Sequence, residues 1–194
     1  MRLIKLMPGL VFCGIATISA GAFAADTAVP QEPNPSISTL LNKANVINYE
    51  EIQMAKVARD KAGDNQPLLT FADTLQADHK ANEDAVSALA RQTSVKIEGT
   101  PSSVDQKEKQ MEALKGGQFD QAFLRDEVAD HTKALQFFEA EKAKFRGDPD
   151  VNLYVQETIP VIRAHLEMAR SLEQEIGNNS KQNPENNKNI SSSR

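Results

Sequence analysis

The chain has 194 residues, a formal net charge of −5 and a single cysteine. This length corresponds to one domain with tails, and one cysteine cannot provide a disulfide framework. An acidic balance without a cluster of lysine and arginine argues against a nucleic-acid-binding protein.

Residues 1–24 have the three-part form of a cleavable signal peptide. Arg2 and Lys5 supply the positive start, and a short apolar stretch covers residues 10–18. Small residues precede a cleavage site that we predict after Ala24. The apolar stretch is too short to remain as a membrane anchor, so we expect a periplasmic protein whose mature part has no integral membrane segment.

Two polar segments flank the predicted domain at 36–176. Residues 25–35 contain three prolines in eleven positions and are typical of an extended linker. Residues 177–194 are rich in asparagine and serine, which predicts a disordered tail because such a segment buries too little apolar surface.

Apolar residues recur at spacings of three and four throughout the domain, which predicts amphipathic helices. Long helices are expected at 36–62, 67–92, 119–145 and 149–176, with a short extra helix at 104–114 in the longer connection. Helices of similar length, joined by two short turns and one longer link, indicate an all-α, up-down four-helix bundle.

Each histidine of the chain interrupts one apolar stripe. His79 lies on the second long helix, His131 on the third and His165 on the fourth, while Glu51 interrupts the first. Glu51 and His79 are equidistant from the first turn, and His131 and His165 are equidistant from the last turn. We therefore predict that these four side chains lie inside the bundle at one level.

An inward layer of one carboxylate and three imidazoles needs partners, because unpaired polar groups are costly to bury. Imidazole nitrogen suits transition metals, and a carboxylate compensates charge. We predict Glu51, His79, His131 and His165 as ligands of one ion, with iron, zinc, copper and manganese as candidates. The alternative is a metal-free polar layer, in which the histidines bond to Glu51 and to buried water.

Four further carboxylates lie close to the histidines in sequence. Asp78 and Asp130 directly precede His79 and His131, and Glu83 and Glu127 lie one helical turn away. Outer carboxylates commonly orient metal-bound imidazoles, so we expect this role for them, or direct ligation if the phase of a helix differs.

Four motifs in order resemble a known family. They are EIQMAKVA at 51–58, Phe71-Ala72 leading to Asp78-His79, Phe119-Asp120 leading to Asp130-His131, and Ile159-Pro160 leading to His165-Leu166. The chain resembles, over about 37–175, an exported, ferritin-like bacterial family catalogued as domain of unknown function 4142. The resemblance implies a ferritin-like bundle in the cell envelope, marks Glu51, Asp78, His79, Asp130, His131 and His165 as its motif residues, and implies no activity.

Di-iron proteins of the ferritin-like fold use Glu-x-x-His pairs. Here the residues three before the histidines are Gln76, Val128 and Ile162, which favours one ion over two. The leading hypothesis is an exported metal-binding protein for metal handling or envelope stress protection. The alternatives are a non-catalytic envelope interaction or structural protein, and a one-metal redox enzyme, which requires an open coordination position.

Overall fold

The structure is a computed structural model that describes residues 34–99 and 103–182. The predicted signal peptide and nearly all of the predicted linker lie outside these residues. The described part is all-helical, with five helices and no strand: α1 (Pro35–Lys61), α2 (Gln66–Gln92), α3 (Ser103–Glu112), α4 (Gly116–Glu141) and α5 (Pro149–Gln182). None of these five helices has the length and apolarity needed to cross a bilayer.

Polar side chains begin three of the long helices. The side chains of Asn34 and Asn65 accept a backbone N–H from the first turns of α1 and α2. Asp148 Oδ1 accepts the N–H of Val151 at 3.1 Å, and Pro149 takes the first position of α5. This confirms the predicted start of α5, since proline has no N–H to lose at that position.

Two predicted helix ends are wrong. Helix α4 ends at Glu141 rather than at Phe145, although Phe145 is buried within the turn that follows. The apolar repeat therefore continues past the end of the helix. Helix α5 continues to Gln182, beyond the predicted end at Ile176, because hydrophobic spacing marks only the packed part of a helix. Residues 183–194 of the predicted tail lie outside the described part.

The long helices contact one another in a closed order. Helix α1 packs on α2, α2 on α5, α5 on α4, and α4 on α1, while the short α3 packs on α1 and α4. The pairs with the most extensive packing, α1 with α2 and α4 with α5, are those joined by short turns. Short connections make sequential helices antiparallel neighbours.

A polar layer divides the core into two apolar parts. One part includes Leu40 of α1, Val86 of α2 and Phe138 of α4, and the other includes Met54, Leu75 and Phe123 of the same helices. Between the two parts lie six buried polar side chains, those of Asn48, Glu51, His79, Glu127, His131 and His165. Apolar packing on both sides therefore fixes the height of this layer.

Candidate metal centre

The three histidines meet in the core, one each from α2, α4 and α5. Their ring centroids are 5.2–5.6 Å apart, and their exposed fractions are 5% for His79, 2% for His131 and 1% for His165. One ring nitrogen from each lies within 4.8 Å of those of the other two. Burial between two apolar layers removes water as the ordinary partner of these nitrogens.

A side-chain network fixes the tautomer of His79. Its Nδ1 lies 3.0 Å from Oδ1 of Asn48, while Nδ2 of Asn48 donates to Oδ1 of Asn82 at 2.8 Å. That oxygen also accepts the hydroxyl of Tyr154 at 2.9 Å, and Nδ2 of Asn82 donates to Thr158 at 3.1 Å. The amide oxygen of Asn48 therefore faces His79, so Nδ1 carries the proton and Nε2 keeps its lone pair.

The outer nitrogens of the other two rings also face acceptors. Nε2 of His165 lies 2.9 Å from Oδ2 of Asp78. Nδ1 of His131 lies 3.1 Å from the backbone oxygen of Glu127. Each of these nitrogens must donate, which leaves lone pairs on the inner nitrogens of the neutral rings. The inner nitrogens, Nε2 of His131 and Nδ1 of His165, are 3.3 Å apart.

Electrostatics keeps two of the rings neutral. Burial, followed by the neighbouring His131 and His165, lowers the pKa of His79 well below its usual value. Burial also lowers the pKa of His165, against the opposing effect of Asp78. Two facing lone pairs then require a metal ion between them or a second proton on His131. Bonds of roughly 2.0–2.1 Å to a tetrahedral zinc ion place two nitrogens about 3.3–3.4 Å apart, which matches the observed separation.

Glu51 and Glu127 form a second group beside the other nitrogen of His131. Their nearest oxygens lie 4.0 Å and 3.3 Å from Nδ1 of His131. Both carboxyls are buried, and within the described residues Oε2 of each lacks a hydrogen bond. The structure thus brings Glu51 close to the histidines. It lies beside Nδ1 of His131, and Glu127 lies beside the same nitrogen.

Burial sets the charge of this carboxyl pair. It raises the pKa of Glu127 to about 8. It also raises the pKa of Glu51 well above the usual range, and the adjacent Glu127 adds to that increase. With a pKa of about 8, Glu127 holds its proton near neutral pH, and the same desolvation favours the neutral form of Glu51.

The remaining predicted carboxylates have separate positions. Asp78 does bond to an imidazole, but to His165 on α5 rather than to its sequence neighbour, since adjacent helix residues point about 100° apart. Glu83 pairs with Lys80 at 2.7 Å. Asp130 pairs with Lys107, and with Lys133 at 2.8 Å. The structure therefore does not bring Glu83 or Asp130 to a histidine.

Sequence reasoning missed Asn48. The predicted stripe of α1 used Ile47, whereas Asn48 is 2% exposed and Ile47 is half-buried. A signal was present, because Asn48 lies three residues before Glu51 and so shares its helix face. A search for apolar spacing does not detect an asparagine, because its side chain is polar.

Sequence reasoning also missed Lys107 on α3. Its ammonium contacts Glu50 at 2.6 Å, Asp126 at 2.7 Å and Asp130. These carboxylates come from α1 and α4, so one lysine ties the short helix to both. The ammonium opposes the effect of burial on the pKa values of Glu51 and Glu127, which remain raised, while Asp126 and Asp130 add to the increase at Glu127.

The comparisons with known proteins identify the family of the chain and no function. No curated protein and no solved structure matches the chain significantly. The family model described as domain of unknown function (DUF4142) matches residues 22–172, which is well over half of the chain and includes every residue of the histidine and carboxylate groups. The chain therefore belongs to the DUF4142 family.

Proposed function

We propose that this protein binds one transition-metal ion in its core through His79, His131 and His165, and serves metal handling or stress protection in the cell envelope. One observation supports the proposal above all others. Each of three buried imidazoles faces an acceptor with one nitrogen, and one ring nitrogen of each lies within 4.8 Å of those of the other two. Metal-binding histidines have this arrangement in proteins.

A proton alone satisfies this cluster less well than a metal ion. A second proton on His131 turns its contact with His165 into an ordinary hydrogen bond. It leaves Nε2 of His79 without a partner among the described residues. A metal ion accepts lone pairs from all three rings at once, so it removes the cost of the unpaired buried nitrogen.

The carboxyl pair fits the charge change that accompanies metal binding. A divalent ion next to His131 favours the ionised forms of Glu51 and Glu127, because an opposite charge lowers the pKa of a buried acid. Proton release from this pair therefore offsets part of the added charge. Three nitrogen donors are compatible with iron, zinc, copper or manganese, and imidazole is the usual ligand of the first three.

The same proposal includes the location and the topology. A signal peptide at 1–24, cleaved after Ala24, directs the chain to the periplasm. The described helices form an up-down, ferritin-like four-helix bundle of α1, α2, α4 and α5, with α3 as the extra helix. The closed order of helix contacts supports this topology.

The metal-free alternative is an envelope interaction protein whose polar layer is purely structural. The hydrogen-bond distance between His131 and His165 favours it. The two hypotheses differ in one measurable quantity, the stoichiometry of bound metal.

Titration of chelator-treated protein, purified without a histidine tag, tests the proposal. We expect one equivalent of zinc or another transition metal to bind and to raise the melting temperature. At a free metal concentration of about 100 times Kd the stabilisation is about 2.7 kcal/mol. The His131→Ala variant should lose this stabilisation, while Thr132→Ala, at the next position of α4, should retain it. Substoichiometric uptake of every metal, or an unchanged shift in His131→Ala, contradicts the proposal.

A further inference from the structure

A cavity of about 220 Å³ lies beside the histidine cluster, between α1, α2 and α5. His79 and His165 form part of its wall. The cavity is open to solvent past exposed residues that include Ala85 and Val161. It therefore gives a small molecule access from the surface to two of the three rings.

The walls and the volume define the size and polarity of a fitting ligand. Ile47, Phe138 and Ile162 supply apolar surface. An apolar cavity of about 150 Å³ is known to accept benzene. A volume of about 220 Å³ therefore suits a single ring or short chain that carries one small polar group.

The polar groups in the wall are arranged to receive a hydrogen-bond donor. Tyr154 donates its hydroxyl hydrogen to Asn82, so its oxygen remains an acceptor. Asp78 uses Oδ2 for His165 and has a second oxygen, with its side chain 45% exposed. Glu157 is exposed at the same cavity.

The charges in the wall have one sign. Asp78 and Glu157 are both acidic, and no lysine or arginine contributes to the lining. A low-dielectric cleft lined by one sign of charge attracts ligands of the opposite sign. The cavity therefore favours a cation over a neutral molecule and a neutral molecule over an anion.

We infer that this cavity binds a small organic amine with an apolar body, of about the size of benzylamine. The action of such a ligand on a bound metal rests on the proposed function. Its binding to the cavity does not, because the walls and the acidic side chains belong to the protein itself. Binding can therefore be measured with and without metal.

Three compounds with one skeleton test the inference: benzylamine, benzyl alcohol and benzoate. Calorimetric or ligand-observed NMR titration of the metal-free protein should give benzylamine an affinity at least tenfold above that of benzoate, with benzyl alcohol between them. Ala85→Phe fills the mouth of the cavity and should weaken benzylamine binding at least tenfold. Ala88→Phe is the matched control, since Ala88 is exposed on the same helix and does not line the cavity.

Equal binding of the three compounds, or equal binding of benzylamine to both variants and the unmodified protein, overturns the inference. Metal uptake by the same samples separates this result from the proposed function. Protein that binds metal but not benzylamine refutes the cavity assignment alone. Protein that binds benzylamine at the cavity but takes up no metal refutes the proposed function alone.

Discussion

Nε2 of His131 lies 3.3 Å from Nδ1 of His165, while the outer nitrogen of each ring faces an oxygen acceptor. Two neutral rings so arranged turn lone pairs toward each other while both side chains are buried. Such a contact is favourable only when a cation lies between the nitrogens. The identity of that cation, a metal ion or a proton, decides between the two proposed roles.

Asn48 should control metal affinity without touching the metal. Its amide oxygen fixes the proton of His79 on Nδ1, and so keeps the lone pair on Nε2. Loss of such an outer partner typically lowers metal affinity 10- to 100-fold. We expect this decrease for Asn48→Ala in competition titrations with a chelator. Asn45→Ala, one turn earlier on α1, is the control, and equal losses in the two variants would remove the proposed role of Asn48.

Stability of the metal-free protein should fall as pH rises from about 6.5 to 8. Burial raises the pKa of Glu127 from 4.5 to about 8, so between these values the folded state holds a proton that the unfolded state has released. The proton on Glu127 contributes its full stabilisation below pH 4.5, and this stabilisation is lost as pH rises through 8. The unfolded histidines are about half protonated at pH 6.5 and lose these protons by about pH 7.5. The lowered pKa values of His79 and His165 therefore oppose part of the decrease in the lower half of this window and add no slope above it.

One such proton corresponds to roughly 1.4 kcal/mol per pH unit. Urea unfolding at intervals across this window measures the slope directly. Glu127→Gln mimics the protonated acid and should flatten it, with the contribution of Glu51 remaining. A free energy of unfolding that stays constant or rises from pH 6.5 to 8 in the unmodified protein would contradict the assigned protonation.

Lys107 should hold α3 against α1 and α4. Its ammonium neutralises Glu50, Asp126 and Asp130, and its side chain is 20% exposed. Removal of one partner of a buried ion pair costs about 3–5 kcal/mol. The side chain of Lys107 is partly exposed, which reduces this cost because water screens the charges. We therefore expect Lys107→Met to lower the free energy of unfolding by about 2 kcal/mol.

The matched control is Lys109→Met, because Lys109 is exposed on the same helix. Surface substitutions usually change stability by less than about 0.5 kcal/mol. Chemical denaturation of both variants measures the difference. If the two variants are equally stable, the contacts of Lys107 do not fasten α3.

The helices and the histidine cluster could be predicted because both follow from periodicity. A histidine at an apolar position of a helix points inward whatever its neighbours are, so His79, His131 and His165 converge once the turns fix the helix heights. The end of α4 could not be found in this way, since Phe145 continues the apolar repeat inside a turn.

The polar partners were harder to predict. Glu127 is 2% exposed, whereas Val128, which the apolar pattern of α4 favours, is half-buried. A search for apolar residues assigns a carboxylate to the surface, and only the packed helix shows the shift in phase. The contacts of Asn48 and Lys107 depend on distances between helices. Such distances cannot be derived from the spacing of residues along one helix.

The protonation and ligation of the three imidazoles can be read directly by NMR of protein labelled with ¹⁵N at histidine. The metal-free protein should show His79 protonated on Nδ1 and His165 protonated on Nε2. Addition of zinc should shift the inner nitrogens of all three rings and reach saturation at one equivalent, with the outer N–H groups retained. Spectra in which zinc leaves the inner nitrogens of all three rings unchanged would contradict the metal centre.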